Sequence, residues 1–193
     1  MEVNQIDKSM ASAQVVKNHY LHRRPSISYA YGLFCGSELV GVITIGVPAS
    51  RHLQKGLCPS NPSKVFELNR LWVDDKMPRN TESWFMSRAL ALTPPMILCS
   101  YADTEQGHVG YVYRASNWYY SGWTDMDRKT PRYDYVVAGK HSRDAFRNNN
   151  EYTRVLRKPK YKYWTVTGSK RERKRLKSLS NWPTLDWKKL QLP

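Results

Sequence analysis

The stretch SYADTEQGHVGYVYRASNWYYSGW, residues 100–123, places a carboxylate and an imidazole between aromatic side chains. Asp103 follows an apolar run that predicts a buried strand, and His108 stands where a helix is predicted to begin. At the carboxyl edge of a sheet, these groups could move a proton, bind a ligand or hold a metal ion. The structural alternative is that Asp103 caps the next helix and that His108 caps or packs.

A second group of candidate residues is His19-Tyr20-Leu21-His22, which precedes two arginines. The spacing of its histidines can present two imidazoles to one metal ion, although it also arises by chance and suits phosphate contacts. His19 and Asp103, with Glu67 as a third ligand, would offer the mixed nitrogen and oxygen donors that suit non-haem iron. Iron is therefore a candidate cofactor, with His19 and Asp103 as its ligands.

The charge of the chain is strongly positive and unevenly distributed. The formal net charge is +15, and residues 151–193 carry 13 Lys/Arg against 3 Asp/Glu. This skew predicts a polyanionic partner, with nucleic acid first, whereas a solvated tail that aids solubility is the alternative. The residues expected to contact phosphates are Arg23, Arg24, Lys170, Arg171, Arg173, Lys174 and Arg175.

The three cysteines are widely spaced and fit reduced thiols better than a disulfide framework or a zinc site. Cys35 and Cys99 fall in apolar runs and are predicted to be core thiols, and Cys58 has no acid or histidine beside it. No apolar run approaches the ~18 residues that span a bilayer, and the N-terminus does not resemble a signal peptide. We expect a cytoplasmic protein without a membrane partner, as a monomer or a homodimer.

Periodicity and turn residues predict the elements that would position these side chains. They are a helix at 9–19, strands at 28–35 and 39–47, a loop at 48–63, a strand at 65–73, a helix at 81–92, a strand at 96–101, a helix at 108–119, strands at 132–137 and 160–166, and a basic helix or disordered tail at 169–179. This order favours an α/β (α+β) fold with one central mixed, mostly antiparallel sheet flanked by helices. One domain is expected over residues 1–168, followed by a basic C-terminal tail at 169–193.

With the segments KMPRNTES (76–83) and YRASNWYYSGW (113–123), this order resembles the Gcn5-related N-acetyltransferase family. In that family, backbone N–H groups at a helix start hold the pyrophosphate of acetyl-CoA. The segment 76–83 lacks the glycines usual there. The resemblance implies an acetyl-CoA or related acyl-CoA donor. The residues it would place at that donor are Leu71, Val73, Arg79, Asn80, Thr81, Ser83 and Asn117.

A more specific resemblance rests on six ordered segments within roughly residues 15–125. They are HYLHRRP (19–25), YGLF (31–34), GVITIGVP (41–48), ELNRLWV (67–73), RNTESWF (79–85), and SYAD with GHVGYVYRASNWYYSG (within 100–122). Together they resemble the Mom family of bacteriophage Mu and its relatives. The resemblance implies a phage enzyme that converts adenine in double-stranded DNA to N6-carbamoylmethyl adenine and so protects phage DNA from restriction. Its implied catalytic residues are Asp103, His19, Tyr20, Tyr113 and Glu67.

The implied chemistry sets demands on the site. An adenine N6 amine is a poor nucleophile, so the enzyme must extrude the base, hold it against flat surfaces and accept a proton. The rings available for stacking are Tyr101, Tyr111, Tyr113, Trp118, Tyr119 and Tyr120. Packing of a helix against the sheet is the alternative role for these rings.

Two other functions are compatible with these observations. One is an ordinary acetyl-CoA-dependent N-acetyltransferase that acts on a protein or a small amine, with the basic residues binding an acidic partner. The other is a non-enzymatic basic DNA-binding protein, whose DNA affinity would not depend on Asp103.

Overall fold

The computed structural model describes residues 1–137, 140–141 and 151–189. The strands are β1 (Glu2–Gln5), β2 (Tyr29–Cys35), β3 (Glu38–Gly46), β4 (Val65–Val73), β5 (Ile97–Asp103), β6 (Tyr119–Trp123), β7 (Tyr133–Val137), β8 (Lys140–His141), β9 (Thr153–Leu156) and β10 (Lys160–Val166). The helices are α1 (Lys8–Asn18), α2 (Arg51–Leu57), α3 (Thr81–Leu92), α4 (Tyr111–Ala115) and α5 (Lys170–Leu179). Among these helices none is both long and apolar enough to cross a bilayer.

The main sheet has the strand order β1-β2-β3-β4-β5-β10-β6. Its pairs are antiparallel except β4 with β5, which run parallel and are joined by α3. The small sheet, with the order β8-β7-β9, lies between β6 and β10 in the chain. The predicted central mixed, mostly antiparallel sheet flanked by helices is therefore confirmed.

Helices cover both faces of the main sheet. On β3, Val42 packs with Val15 of α1, whereas its neighbour Ile43 packs with Phe85 of α3. Because successive residues of a strand face opposite sides, α1 and α3 lie on opposite faces. On β5, Cys99 packs with Leu176 of α5 on the face opposite to α3.

The strand at 65–73 and the helix at 81–92 have the bounds that their sequence patterns predicted. The expectation of a loop at 48–63 was wrong, because α2 forms there and buries Leu57 and Cys58 against Val65. The tail segment predicted as helix or disorder is the helix α5, which a capping box at Ser169 begins. The boundary between a domain and a tail at residue 168 stays a prediction.

The predicted helix at 108–119 was also wrong. Only Tyr111–Ala115 is helical, and the strand β6 begins at Tyr119. Between them, Asn117 takes a left-handed conformation with φ 58°, and the N–H of Trp118 donates to the Tyr113 carbonyl. This turn ends the helix early, as a left-handed residue after a helix commonly does.

Cys35 was predicted to be a core thiol, but it is exposed at the end of β2. Cys99 is buried, as expected, and burial raises the pKa of its thiol well above the ordinary value. The short strand β1 at Glu2–Gln5 had no sequence prediction, and most of its residues are exposed. Its pairing with β2 is what makes it a strand.

A candidate active-site cleft between two parallel strands

The cleft begins at a β-bulge in β4. Opposite β3, Ile45 pairs with Leu68 and Thr44 with Arg70, so that Asn69 has no partner in the register. The side chain of Asn69 holds this bulge, because its Oδ1 accepts from Thr44 Oγ1 at 2.6 Å and its Nδ2 donates to a backbone carbonyl at 2.8 Å. The bulge breaks the simple alternation of β4 that the sequence pattern predicted.

The two parallel strands β4 and β5 separate close to this bulge. β4 and β5 are paired only from Val65 to Glu67 and from Ile97 to Cys99. The next residue of β5, Ser100, donates its hydroxyl to the Leu68 carbonyl at 2.7 Å. A cavity of about 580 Å³ opens there, lined by both strands, by the segment after α1 and by residues 107–113. Its volume lies within the range of roughly 300–1,000 Å³ typical of small-molecule sites.

Asp103 is the centre of the polar groups in this cavity. The residue is only 5% exposed, and its Oδ2 accepts from Lys160 Nζ at 2.5 Å and from Tyr20 Oη at 3.3 Å. Its Oδ1 accepts from the backbone N–H of Glu105 at 3.2 Å, so Asp103 also begins a short 3₁₀ turn. The sequence left two roles open for Asp103, a group in the site and a cap of the next turn. The side chain of Asp103 has the position for both.

His19 lies beside this group as the residue that ends α1. Its ring stacks on Tyr20 with 4.3 Å between centroids, and its Nδ1 accepts from the N–H of Leu21 at 3.2 Å. Burial, with smaller contributions from the charges of Arg70 and two nearby histidines, lowers the pKa of His19 to about 4. The imidazole is neutral at neutral pH, and its hydrogen is on Nε2 because Nδ1 is an acceptor.

Burial raises the pKa of Tyr20 well above its ordinary value, and the negative charge of Asp103 adds to that shift. Its hydroxyl therefore keeps its proton and is the donor in the contact with Asp103. On the other side of Tyr20, the ring of His108 makes an edge contact at 5.8 Å between centroids. The two segments that the sequence singled out, 19–22 and 100–123, thus meet in one cluster of His19, Tyr20, Asp103 and His108.

Two further predicted residues line the same cavity. Burial raises the pKa of the Glu67 carboxyl, although the positive charges of Arg70 and Lys160 partly oppose this shift. Tyr113 is buried and its Oη lies 2.8 Å from Ser100 Oγ. Burial raises the pKa of the Tyr113 hydroxyl to about 12.

The arrangement does not fit the iron site that the sequence suggested. His22 is exposed, and its Nδ1 is hydrogen-bonded to the Val16 carbonyl at 2.9 Å. Asp103 Oδ2 is already shared by an ammonium and a hydroxyl. Within the part of the chain that the structure describes, no three His, Cys, Asp or Glu side chains form a group able to hold a metal ion.

A second cavity of about 360 Å³ lies at the start of α3. Its lining includes five of the seven residues predicted to bind the donor, namely Val73, Arg79, Asn80, Thr81 and Ser83. Asn80 precedes the helix with φ 70°, a left-handed conformation that glycine usually supplies. Three carboxylates also line this cavity, those of Asp74, Asp75 and Glu82.

Two of the predicted donor residues, Leu71 and Asn117, do not line the second cavity. Leu71 lines the first cavity and Val73 lines both. Asn117 is exposed and lines neither cavity, and its backbone is left-handed; its donor-binding role stays a prediction. Ser83 Oγ already donates to the Asn80 carbonyl at 3.0 Å, so the Arg79 side chain and the unbonded backbone N–H groups of this turn are better placed than the Ser83 hydroxyl to bind a ligand.

The basic residues predicted to contact DNA are all exposed. Arg23 and Arg24 follow Tyr20 closely in the chain, and the charge of Arg23 is near enough to Arg70 to lower its pKa. The five on α5 project outward from a helix that buries Leu176, and none of them forms an ion pair with another described residue. They are Lys170, Arg171, Arg173, Lys174 and Arg175.

Most of the aromatic rings have packing roles. Trp118 and Tyr120 are buried in the core under α3, and Tyr119 packs on Trp164 with 4.7 Å between centroids. Tyr111 differs, because it is 75% exposed and lines both cavities.

Lys160, the cation on Asp103, was not predicted as a site residue. Its strand was predicted, but no local pattern shows that Lys160 is the partner of Asp103 across β10 and β5. An acidic residue at the end of one strand and a lysine at the start of another indicate an ion pair only when it is known that the two strands pair. Arg70 was not among the predicted site residues either; it lines the cavity, and its buried Nε has no hydrogen-bond partner among the described residues.

Comparison with known proteins gives one family and several solved structures. The model of the Mom protein family matches residues 1–181. Over 129 residues the chain is 34% identical to Methylcarbamoylase mom of Escherichia phage Mu, a stretch that covers 63% of this chain and 54% of that protein. The chain thus spans about half the length of this curated relative.

Two of the similar solved structures are acetyltransferases. One is a GNAT-family acetyltransferase from Bacillus cereus, with TM-score 0.48, 11% identity and coverage of 87% of this chain and 98% of that one. The other is a Bacillus subtilis acetyltransferase in complex with CoA, with TM-score 0.44, 8% identity and coverage of 86% and 99%.

Proposed function

Because this chain belongs to the Mom protein family, we propose that it modifies adenine in double-stranded DNA at N6 and leaves a carbamoylmethyl group there. The observation that carries this proposal is the contact of Tyr20 and Lys160 with one oxygen of the buried Asp103 in a cavity large enough for a purine. The modification would take place on DNA in the host cytoplasm and would protect phage DNA from restriction.

Glu67 is the residue that we assign as proton acceptor. When a bond forms between adenine N6 and a carbon of the donor, one N6–H proton must leave. Glu67 lines the cavity, and its raised pKa makes the carboxylate a better base than an exposed glutamate. Asp103 is less suited to this role, because its Oδ2 is held by Lys160 and Tyr20.

Asp103, Tyr20 and His19 are assigned to hold the extruded base. Asp103 fixes the Tyr20 ring through its hydroxyl, and that ring in turn stacks on His19. The neutral His19 has a hydrogen on Nε2, which it can donate to a ring nitrogen of adenine. This arrangement supplies a flat surface and a directed donor, the two features by which a flipped base is recognised.

The donor is proposed to be an acyl-CoA, with its phosphates at the start of α3. The backbone N–H groups of the first helical turn and the Arg79 side chain there can hold an anion. The neighbouring carboxylates of Asp74, Asp75 and Glu82 oppose this attraction, so we expect weak donor binding. When bound, an acyl-CoA would supply carbon atoms for the group that is attached to N6. Tyr113 keeps its proton, since burial raises the pKa of its hydroxyl to about 12, and it would serve in the cavity as a neutral hydrogen-bonding group.

DNA is proposed to be held by phosphate contacts. Arg23 and Arg24 are exposed close to the cavity, and the cations of α5 form a second basic surface on the same face of the sheet as α1. Such contacts position the duplex without selecting a sequence. They also make affinity fall with added salt.

Nucleoside mass spectrometry tests the proposal. DNA from bacterial cells that express the chain would be digested and compared with DNA from cells that express Asp103→Asn, which keeps the shape of the side chain. We expect a carbamoylmethylated deoxyadenosine from the first and none from the second. Only unmodified deoxyadenosine from a folded, expressed chain would refute the proposal. Acetylated amines formed without DNA would instead indicate an ordinary N-acetyltransferase.

A further inference from the structure

Tyr111 has an unusual position for an aromatic residue. It is 75% exposed, and it lines both the cavity around Asp103 and the cavity at the start of α3. It follows Gly110, whose φ of 79° and close approach to the Tyr163 ring leave no room for a side chain. Position 110 therefore requires glycine, and Tyr111 follows it at the start of α4 with most of its side chain exposed.

The ring of Tyr111 is also held by a neighbour. The guanidinium of Arg114 lies 4.6 Å from the Tyr111 ring centroid and 4.1 Å from that of Trp187. Trp187 packs in turn on Tyr120 and Tyr161, with 5.0 and 4.8 Å between centroids. We call these three residues, Tyr111, Arg114 and Trp187, the cation-π stack.

The cation-π stack is anchored at one end and open at the other. Arg114 Nε is buried without a hydrogen-bond partner among the described residues. The main contacts of the guanidinium described here are therefore those with the rings of Tyr111 and Trp187. The guanidinium covers one face of Tyr111, and the high exposure of this residue leaves the other face uncovered. A rigid, uncovered aromatic face beside a polar cavity is a surface on which a nucleobase can stack.

We propose that the open face of Tyr111 receives the extruded adenine before and during its modification. This inference rests on the proposed function. Tyr111 lies where the two cavities meet, so a base stacked there would have Asp103 and Glu67 on one side and the donor site on the other. The other purine that could use this face is the adenine of an acyl-CoA, and the experiment separates the two.

The experiment uses 2-aminopurine, an adenine analogue that lacks the N6 amine and fluoresces when it is unstacked. In a synthetic duplex, 2-aminopurine replaces the adenine at a position that the chain modifies. With the wild-type chain at saturation, we expect weak emission, because the extruded base stacks on Tyr111. Tyr111→Ala should give brighter emission at saturation and should weaken duplex binding by roughly five- to 150-fold, the loss of one base–aromatic stack.

Matched variants control for folding and for loss of apolar surface. Tyr111→Phe should restore most of what Tyr111→Ala loses, because stacking needs the ring and not the hydroxyl. Leu92→Ala removes another exposed apolar side chain, at the far end of α3 and outside both cavities, and should behave as the wild type. Thermal melts would show that all variants are folded.

Two outcomes would overturn the inference. The first is a Tyr111→Ala complex with the emission and affinity of Leu92→Ala. The second is unchanged emission with weaker binding of acyl-CoA in calorimetry, which would assign the ring to the donor. If the wild-type chain modifies adenine while either outcome holds, only the inference about Tyr111 fails and the proposed function stands.

Discussion

Lys160 Nζ lies 2.5 Å from Asp103 Oδ2, although 57 residues separate the two in the chain. The contact joins the start of β10 to the end of β5, the two strands that pair beside the cleft. It neutralises a carboxylate that is 5% exposed, while the lysine side chain keeps partial access to solvent. An ion pair of this kind contributes to stability mainly because it prevents the buried carboxylate from being left without a partner.

Replacing Lys160 alone should therefore lower the free energy of unfolding more than replacing Lys160 and Asp103 together. We expect Lys160→Met to lower the free energy of unfolding by about 1–3 kcal/mol, less than for a fully buried pair because Lys160 is partly exposed. In Lys160→Met/Asp103→Asn the loss should be smaller than in Lys160→Met alone. Urea denaturation of the wild type, both single variants and the double variant measures this coupling. Additive losses would show that the two side chains do not interact in solution.

The lowered pKa of His19 makes stability depend on pH. The folded pKa is about 4 against 6.5 for an ordinary histidine. Between these values the unfolded chain binds a proton that the folded chain does not, so the contribution of His19 to stability falls as pH drops from 6.5 toward 4. Below about 4 it falls no further.

His19→Gln tests this dependence, because glutamine can still accept from the Leu21 N–H but does not titrate. We expect the variant to lose less free energy of unfolding than the wild type over the same acidification. Urea titrations at several pH values between 4 and 6.5 would measure the difference. Exposed His52→Gln is the matched control and should keep the wild-type slope. Parallel slopes for the wild type and His19→Gln would contradict the assignment.

The basic face of α5 should govern the salt dependence of DNA binding. Changing Arg171, Arg173 and Lys174 to glutamine should reduce the slope of log affinity against log salt by up to about 0.9 for each DNA phosphate that the variant no longer neutralises. Arg88→Gln on α3, on the opposite face of the sheet, should leave the slope near the wild-type value. Fluorescence anisotropy with a labelled duplex at several salt concentrations gives these slopes. Equal slopes for the triple variant and Arg88→Gln would remove α5 from the DNA surface.

Asn117 is predicted to act through its backbone. Its φ of 58° costs roughly 1–2 kcal/mol for a residue with an ordinary side chain, whereas glycine adopts it freely. Asn117→Ala should therefore destabilise the chain by about 1 kcal/mol, and Asn117→Gly should not. Thermal unfolding would measure both. A loss of donor affinity in Asn117→Gly, without a loss of stability, would instead support the ligand role that the resemblance implied.

Several parts of the site follow from local sequence. The strand at 65–73 and the helix at 81–92 have clear periods of two and 3.6 residues, and both form where these patterns predict. Asp103 could be placed at the end of a buried strand because the apolar run before it is continuous. The secondary structure of the segment at 108–119 was harder to predict, since its spacing of aromatic residues suits either a helix or a strand. The turn at Asn117 decides between them.

The sequence by itself determined five of the seven strands of the main sheet, β2, β3, β4, β5 and β10, and that basic residues are concentrated after position 150. Only the tertiary structure decided that Lys160 neutralises Asp103, that β4 and β5 separate after Glu67 beside a bulge at Asn69, and that Arg114 holds Tyr111 between two cavities. The physical reason is the range of the forces involved. Periodicity reflects the local geometry of the backbone, whereas a buried ion pair and a cavity depend on strands that pair only after distant segments have met.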